Sequence, residues 1–247
     1  TRVVFEFADV KDYHKLEILF QNVDIVFHAA AMKHVSICEE NPYDAITTNV
    51  IGTKNVIDAC IINNIQKMIY VSTDKSVNPT NVMGATKLLG EKLIGAIVTS
   101  QKNRNTKFGV IRFGNVSYSR GSVMEIWNKQ LKKGNSITIT DENMTRFFMN
   151  IPQCVDLMFL ASYYSKVGEI FIIKMQSIKI RDLADAFLEL KNVPKNKIKL
   201  IGKRKGEKMH EELILKSDDG IILENDQFLV KFPSFVNDDR INEIIKE

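Results

Sequence analysis

The chain has few cysteines and no long apolar run. Its 247 residues include three cysteines, Cys38, Cys60 and Cys154, which lie far apart and show no metal-ligand spacing. We therefore expect reduced core thiols, with neither a disulfide framework nor a metal site. No apolar run approaches the roughly 18 residues of a membrane span, and no signal peptide is visible. These absences predict a cytoplasmic protein without a membrane segment.

A concentrated basic surface is also missing. The formal net charge is +4, and the only tight basic clusters are Lys132-Lys133 and Lys203-Arg204-Lys205. Nucleic-acid binding would need a basic stripe with aromatic side chains interleaved, so we expect no nucleic-acid partner. A few well-placed cations could instead serve a ligand that carries a diphosphate. The length fits one large domain or two small ones.

A third absence is a glycine-rich turn of the G-x-G-x-x-G type, which in dinucleotide-binding domains holds the pyrophosphate after the first strand. The remaining pattern is still that of a doubly wound α/β fold, because strand-like and helix-like segments alternate. We predict strands at 2–10, 23–31, 67–72, 107–116, 136–140, 169–174 and 198–202. We predict helices at 15–21, 42–64, 84–101, 122–134, 152–164 and 180–190. The fold class is thus a doubly wound parallel, Rossmann-like sheet that lacks its first βαβ unit.

The stretch from Ser72 to Lys87, STDKSVNPTNVMGATK, has the features of a reaction centre. It joins a buried strand to an amphipathic helix through a loop that contains Asn78-Pro79. Ligands of parallel sheets bind at the carboxyl ends of strands, so Asp74 and Lys75 would lie at the rim of a cleft. On these residues alone, a solvated ion pair is the commoner interpretation of the Asp-Lys pair. Core filling is likewise the commoner role of Met83.

Several strings along the chain resemble the extended short-chain dehydrogenase/reductases, and among them the UDP-N-acetylglucosamine 4,6-dehydratases of polysaccharide biosynthesis. They are STDK…NPTNVMGATK, RFGNV at 112–116, SRGSV at 119–123, TRF at 145–147 and KRKGEK at 203–208. The resemblance runs from Asp9 to Asp218. It departs from most of the superfamily at Met83, which stands where the Y-x-x-x-K motif has its Tyr.

The resemblance implies an NAD- or NADP-dependent dehydratase that acts on a UDP-sugar, with or without inversion at C5. It implies that Lys75 is the base at C5 and Asp74 the acid at the C6 hydroxyl, while Met83 and Lys87 occupy the positions of the motif's Tyr and Lys. The cofactor-binding residues that it implies are Asp9, Val10, His28, Ala29, Ala30, Asn49, Ser72 and Lys87. The substrate-binding residues that it implies are Lys33, His34, Asn115, Arg146, Arg204 and Glu207.

Arg204 and Glu207 have independent chemical support. A planar guanidinium binds phosphate oxygens bidentately, and a carboxylate accepts hydrogen bonds from ribose hydroxyls. On composition alone, however, the KRKGEK string is more often a solvated charge run.

We expect a cofactor-binding domain at 1–116 and a smaller C-terminal α/β substrate domain at 117–247, with 145–164 returning to the first domain. We also expect a homo-oligomer. Two other functions stay open: a nucleotide-sugar 4-epimerase, which uses the same fold and cofactor, and a degenerate family member that only binds or scaffolds. A T-G-G-x-G-type turn encoded ahead of Thr1 would favour an enzyme.

Overall fold

The structure is a computed structural model that describes residues 3–100, 105–215 and 220–246. In chain order its strands are β1 (Ile25–His28), β2 (Lys67–Thr73), β3 (Lys107–Phe113), β4 (Asn115–Val116), β5 (Ile137–Ile139), β6 (Thr145–Met149), β7 (Ile170–Ile173), β8 (Ser177–Lys179), β9 (Ile198–Leu200), β10 (Ile222–Glu224) and β11 (Phe228–Lys231). Its α-helices are α1 (Tyr13–Leu19), α2 (Val35–Glu40), α3 (Pro42–Ile46), α4 (Gly52–Ile62), α5 (Val82–Thr99), α6 (Val123–Lys132), α7 (Ile151–Tyr164), α8 (Ile180–Leu190) and α9 (Asp238–Lys246). A π-helical turn (Thr47–Ile51) joins α3 to α4, and short 3-10 helices lie at Asp74–Ser76 and Lys195–Lys197.

A six-stranded sheet in the order β1-β2-β3-β7-β11-β10 organises the fold. Strands β1, β2, β3 and β7 are parallel, and β11 runs antiparallel to β7 and β10. Met68, Ile69 and Tyr70 in β2 are fully buried, as expected for a strand covered on both faces. Helices α1, α4 and α5 pack on one face and α7 on the other. The predicted doubly wound α/β fold is therefore confirmed.

Two smaller sheets, β4-β6-β8 and β5-β9, lie beside the main one. They share a second core with α6 and α8, in which Trp127 packs against Phe187. Helix α7 packs on β2, β3 and β7 of the main sheet. Strands β7, β10 and β11 also belong to the main sheet, although they lie within 117–247. The division of the chain at residue 116 stays a prediction.

The predicted strand at 2–10 is wrong over its described part. Residues 3–9 form no strand, and Phe5 and Phe7 are 91% and 95% exposed. A strand satisfies its backbone groups through a neighbouring strand, and no described strand pairs with this segment. Strands 23–31, 107–116 and 198–202 are shorter than predicted, and the helix at 42–64 contains the π turn. Helix α2 was not predicted, and residues 216–218 of the resemblance lie outside the described residues.

Candidate active site

A cavity of about 560 Å³ opens at the carboxyl ends of β1, β2 and β3. Residues at or just after the ends of these three strands line it in turn: Ala29 and Ala31, then Thr73 and Lys75, then Gly114 and Asn115. Met83 and Lys87, from the first turns of α5, complete the wall near Lys75. This is the edge at which doubly wound sheets bind their ligands.

Asp74 and Lys75 form a buried ion pair at the end of β2. Lys75 Nζ lies 2.9 Å from Asp74 Oδ1 and 3.1 Å from Asn115 Oδ1. The Asp74 side chain is fully buried, whereas 17% of the Lys75 side chain is exposed, towards the cavity. Thr73 also lines the cavity, and its hydroxyl donates to Asp74 Oδ1 at 2.8 Å. The pair is therefore not the solvated one that the loop composition favoured.

A glycine lets α5 approach this pair. A Cβ atom at Gly84 would lie 2.2 Å from the backbone oxygen of Lys75, so the helix start and the loop contact each other without a side chain between them. Asn81 caps the helix by accepting a hydrogen bond from the Gly84 N–H at 2.8 Å. This contact places Met83, which is 5% exposed, at the cavity wall.

Lys87 is a buried lysine in the cavity wall. Its Nζ lies over the face of the Tyr70 ring, 4.0 Å from the ring centroid. The electron-rich face of the ring attracts the charged form of the lysine. Burial lowers the pKa of Lys87 to about 7, although the carboxylate of Glu91 opposes the shift. Lys87 can therefore gain or lose its proton near neutral pH.

Asn49 links the loop after β1 to α5 through hydrogen bonds. Its side chain accepts from the Met32 N–H at 2.7 Å and donates to Met32 O at 3.0 Å and to Thr86 Oγ1 at 2.9 Å. Asn49 lies in the π-helical turn, a feature that is frequent at functional sites. It therefore positions the cavity wall without lining it.

The structure brings only some of the predicted site residues to the cavity. Those that line it are Ala29, Lys33, His34, Ser72, Lys75, Met83, Lys87 and Asn115. Those outside the lining are Asp9, Val10, His28, Ala30, Asn49, Asp74, Arg146, Arg204 and Glu207. His28 is buried and bonded to Thr53 Oγ1 at 3.0 Å. Burial, followed by the charge of Lys87, lowers the pKa of His28 to about 3.

The KRKGEK string lies across the loop that follows Lys75. Thr80 and Asn81 donate to the backbone oxygen of Gly206 at 3.1 and 3.0 Å, and Lys208 Nζ donates to Val77 O at 2.6 Å. Glu207 accepts from the backbone N–H of Arg204 at 3.0 Å, while the Arg204 residue itself is exposed. The string therefore packs on the loop that follows Lys75 and is not a solvated run of charged residues.

Arg146 has an internal role in this structure. Its Nη1 donates to the backbone oxygens of Thr145 and Met209 at 2.7 and 3.2 Å, and the residue is 6% exposed. It joins β6 to the segment that follows KRKGEK.

The buried ion pair of Glu91 and Arg112, which was not among the predicted site residues, supports the end of β2 and the loop after it. Glu91 accepts from Arg112 Nε at 3.0 Å and Nη2 at 2.8 Å, and from the hydroxyls of Ser72 and Ser76 at 2.6 and 2.8 Å. Burial raises the pKa of Glu91, but the hydrogen bonds and charge of Arg112 and the two hydroxyls outweigh it and leave the pKa lowered. Arg112 also donates to Leu213 O at 2.8 Å. The sequence carried a sign of this pair, because Glu91 and Arg112 each interrupt an apolar pattern.

Comparison with known proteins identifies the family. The sequence model of a family described as polysaccharide biosynthesis proteins matches residues 1–231. The chain belongs to this family. The sequence motifs indicated this family, and the match confirms it.

Individual members of the polysaccharide biosynthesis family carry different names. A Methanocaldococcus jannaschii relative, described as an uncharacterized membrane protein, is 46% identical over 96% of this chain and 73% of its own. A UDP-N-acetylglucosamine 4,6-dehydratase (inverting) of Campylobacter jejuni is 43% identical over 96% of this chain and 70% of its own. A UDP-glucose 4-epimerase of Rickettsia bellii is also 43% identical, over 86% of this chain and 62% of its own.

Solved structures agree on the fold. Pen from Bacillus thuringiensis is 40% identical and superposes with a TM-score of 0.88 over 92% of this chain and 71% of its own. DesIV from Streptomyces venezuelae, a dTDP-glucose 4,6-dehydratase, has a TM-score of 0.78 over 84% of this chain and 69% of its own. At 18% identity DesIV supports the fold alone. Among the described residues of this family member, no helix combines the length and apolar character needed to cross a membrane.

Proposed function

We propose that this protein is a nucleotide-sugar dehydratase that removes water across C5 and C6 of UDP-N-acetylglucosamine and yields a 4-keto-6-deoxy sugar for surface polysaccharide. The observation that carries the proposal is the ion pair of Asp74 and Lys75, 2.9 Å apart, at the carboxyl end of β2. Elimination needs an acid at the C6 hydroxyl and a base at C5, whereas epimerisation at C4 needs neither. The dehydratase name of the Campylobacter relative supports the same choice.

In this proposal Lys75 is the base and Asp74 is the acid. Lys75 reaches the cavity, and in its uncharged form it takes the C5 proton, which a ketone at C4 makes acidic. Asn115, whose Oδ1 lies 3.1 Å from Lys75 Nζ, holds that nitrogen at the cavity wall. Asp74 does not line the cavity, so when protonated it supplies the proton with which the C6 hydroxyl leaves as water through the Thr73 hydroxyl, which does line it. Lys75 gains one proton and Asp74 loses one, so the elimination is balanced within the pair.

The cavity fits the reactive end of a nicotinamide cofactor, NAD or NADP, which when bound accepts a hydride from C4 and returns it to C6. Ala29 and Ala31 offer the small side chains that close approach of a ring and ribose requires. Ser72 and Lys87 lie at the cavity wall, and the buried Lys87 ammonium can donate to ribose hydroxyls. These residues would hold the ribose end, while the sequence offers no glycine-rich turn for the pyrophosphate.

The proton of the C4 hydroxyl needs an acceptor other than Met83. A thioether carries no proton and accepts hydrogen bonds only weakly. Asp74 Oδ2 is buried and accepts no hydrogen bond from the described residues. Asp74 as a carboxylate would take this proton, through the Thr73 hydroxyl that lines the cavity and donates to it. The same proton would then protonate the C6 hydroxyl.

Product mass tests the proposal. The protein is incubated with UDP-N-acetylglucosamine and excess NAD or NADP, and we expect a product lighter by one water. Lys75→Ala should abolish that product, whereas Lys92→Ala, which removes an exposed lysine of α5, should not. A product of unchanged mass that is epimeric at C4 would favour a 4-epimerase. Binding of UDP-sugar without any product would favour a degenerate binding protein.

A further inference from the structure

Glu211 is a buried carboxylate next to the Asp74–Lys75 pair. It is 7% exposed, and its Oε1 lies 4.0 Å from Lys75 Nζ. Its Oε2 lies 4.0 Å from Lys208 Nζ and accepts no hydrogen bond from the described residues. A buried carboxylate oxygen without a donor is costly, so its position calls for a function.

Four charged groups face Glu211 from three parts of the chain. Asp74 and Lys75 belong to the loop after β2, Arg146 lies in β6, and Lys208 lies on the segment of Glu211 itself. Burial has the largest effect and raises the pKa of Glu211, and the charge of Asp74 adds to it. Lys75, Arg146 and Lys208 oppose the shift without cancelling it. Glu211 therefore takes up a proton more readily than a solvated glutamate does.

The proposed chemistry requires such an acceptor. Lys75 lies in an ion pair with Asp74, and an ammonium must lose its proton before it can act as a base. If Asp74 took the proton of Lys75, it could not also accept the proton of the C4 hydroxyl. A second carboxylate beside Lys75 removes this conflict.

We propose that Glu211 is a positioning residue that accepts the ammonium proton of Lys75 before the C5 proton is removed and returns it after turnover. The inference rests on the proposed function. In this step the Lys75 N–H bond breaks and a Glu211 O–H bond forms, so Lys75 becomes the neutral amine and Glu211 the neutral acid. Rotation of the Lys75 side chain has to shorten the 4.0 Å separation to a hydrogen bond of about 3 Å. Lys75 then gains the C5 proton, and the original charges are restored when protons return to C5 and to Lys75.

The test follows exchange at C5 without any hydride transfer. The protein is incubated in D2O with the 4-keto-6-deoxy product of UDP-N-acetylglucosamine, and proton NMR follows loss of the C5 signal across a range of pD. We expect Glu211→Gln to slow exchange by about tenfold or more near neutral pD, since general-base steps contribute that much or more. At high pD its rate should approach that of the wild type, because deuteroxide from the solvent can then replace Glu211 as the proton acceptor. Glu212→Gln, in the exposed neighbouring residue, is the matched control and should match the wild type.

A merely structural role would not produce this pH-dependent rescue. A Glu211→Gln variant that matches the wild type at every pD would overturn the inference and leave the proposed dehydratase intact. A wild type that exchanges no C5 proton would overturn both. If Glu211→Gln does not fold, Glu211→Asp decides: it keeps a carboxylate but withdraws it by one methylene. We expect it to exchange more slowly than the wild type, and an equal rate at every pD would overturn the role.

Discussion

Removal of Glu91 should destabilise the protein far more than removal of an exposed carboxylate. The Glu91 and Arg112 side chains are 5% and 4% exposed, and Glu91→Gln leaves the guanidinium buried without a counter-charge. Breaking a buried pair from one side costs about 3–5 kcal/mol. Asp58→Asn is the control, because Asp58 pairs with Lys54 on the surface at 39% and 56% side-chain exposure. A pair of that kind contributes at most about 1 kcal/mol.

Urea unfolding measures these differences as free energies of unfolding. The double variant Glu91→Leu/Arg112→Met should lose less than the sum of the single variants, because neither charge is then left alone. The effect of Glu91→Gln should also depend on pH. Because the pKa of folded Glu91 is lowered from 4.5, its contribution is complete above that value and is lost as the pH falls through the folded pKa. A Glu91→Gln variant no less stable than Asp58→Asn at neutral pH would refute the reasoning.

Three further predictions concern the cavity and its surroundings. The free energy of unfolding of the wild type should rise relative to that of Lys87→Met as the pH increases from about 7 to 10.5, because in this range Lys87 binds a proton only in the unfolded state. Urea titrations in which the difference between the two proteins does not change with pH would contradict this. Met83→Leu should keep most activity and Asp74→Asn should block even the first hydride transfer, as followed by single-turnover absorbance of the reduced nicotinamide; the reverse pattern would exclude Asp74 as the acceptor. Arg204 lies outside the cavity lining, but the family resemblance implies that it binds the UDP moiety; Arg204→Ala should then weaken calorimetric UDP binding by about 1.5–3 kcal/mol for a lost charge-assisted contact, and an unchanged Kd would contradict that role.

The sequence predicted the fold where apolar periodicity was strong. The buried strands β2 and β3 and the helices α5, α7 and α8 lie where their patterns indicated. The segment 3–9 failed because its apolar alternation says nothing about whether a neighbouring strand is present. The polar C-terminal stretch has no sequence pattern that indicates a role, yet β10 and β11 extend the main sheet. Pairing partners are tertiary information that a local pattern does not carry.

Part of the candidate site could be predicted from the sequence. Lys75, Asn115 and Ala29 were predicted as site residues, the last two through the family resemblance, and all three line the cavity because parallel strands bring their carboxyl ends to one edge. Glu211 was not predicted as a site residue, because a glutamate in a run of charged residues has no local sequence pattern that indicates burial. It is buried only because the segment after Gly206 docks on the loop after β2. Residues that reach a site through such docking require the tertiary structure.

Exchange of the C5 proton of the 4-keto-6-deoxy sugar nucleotide in D2O tests the central claim most directly, because it isolates the base from hydride transfer. The wild type and Lys92→Ala should replace the C5 proton with deuterium, and Lys75→Ala should not, while all three bind UDP-sugar in calorimetric titrations. Lost UDP-sugar binding in Lys75→Ala would instead make Lys75 a ligand contact. Exchange at the wild-type rate in Lys75→Ala would contradict its role as the C5 base.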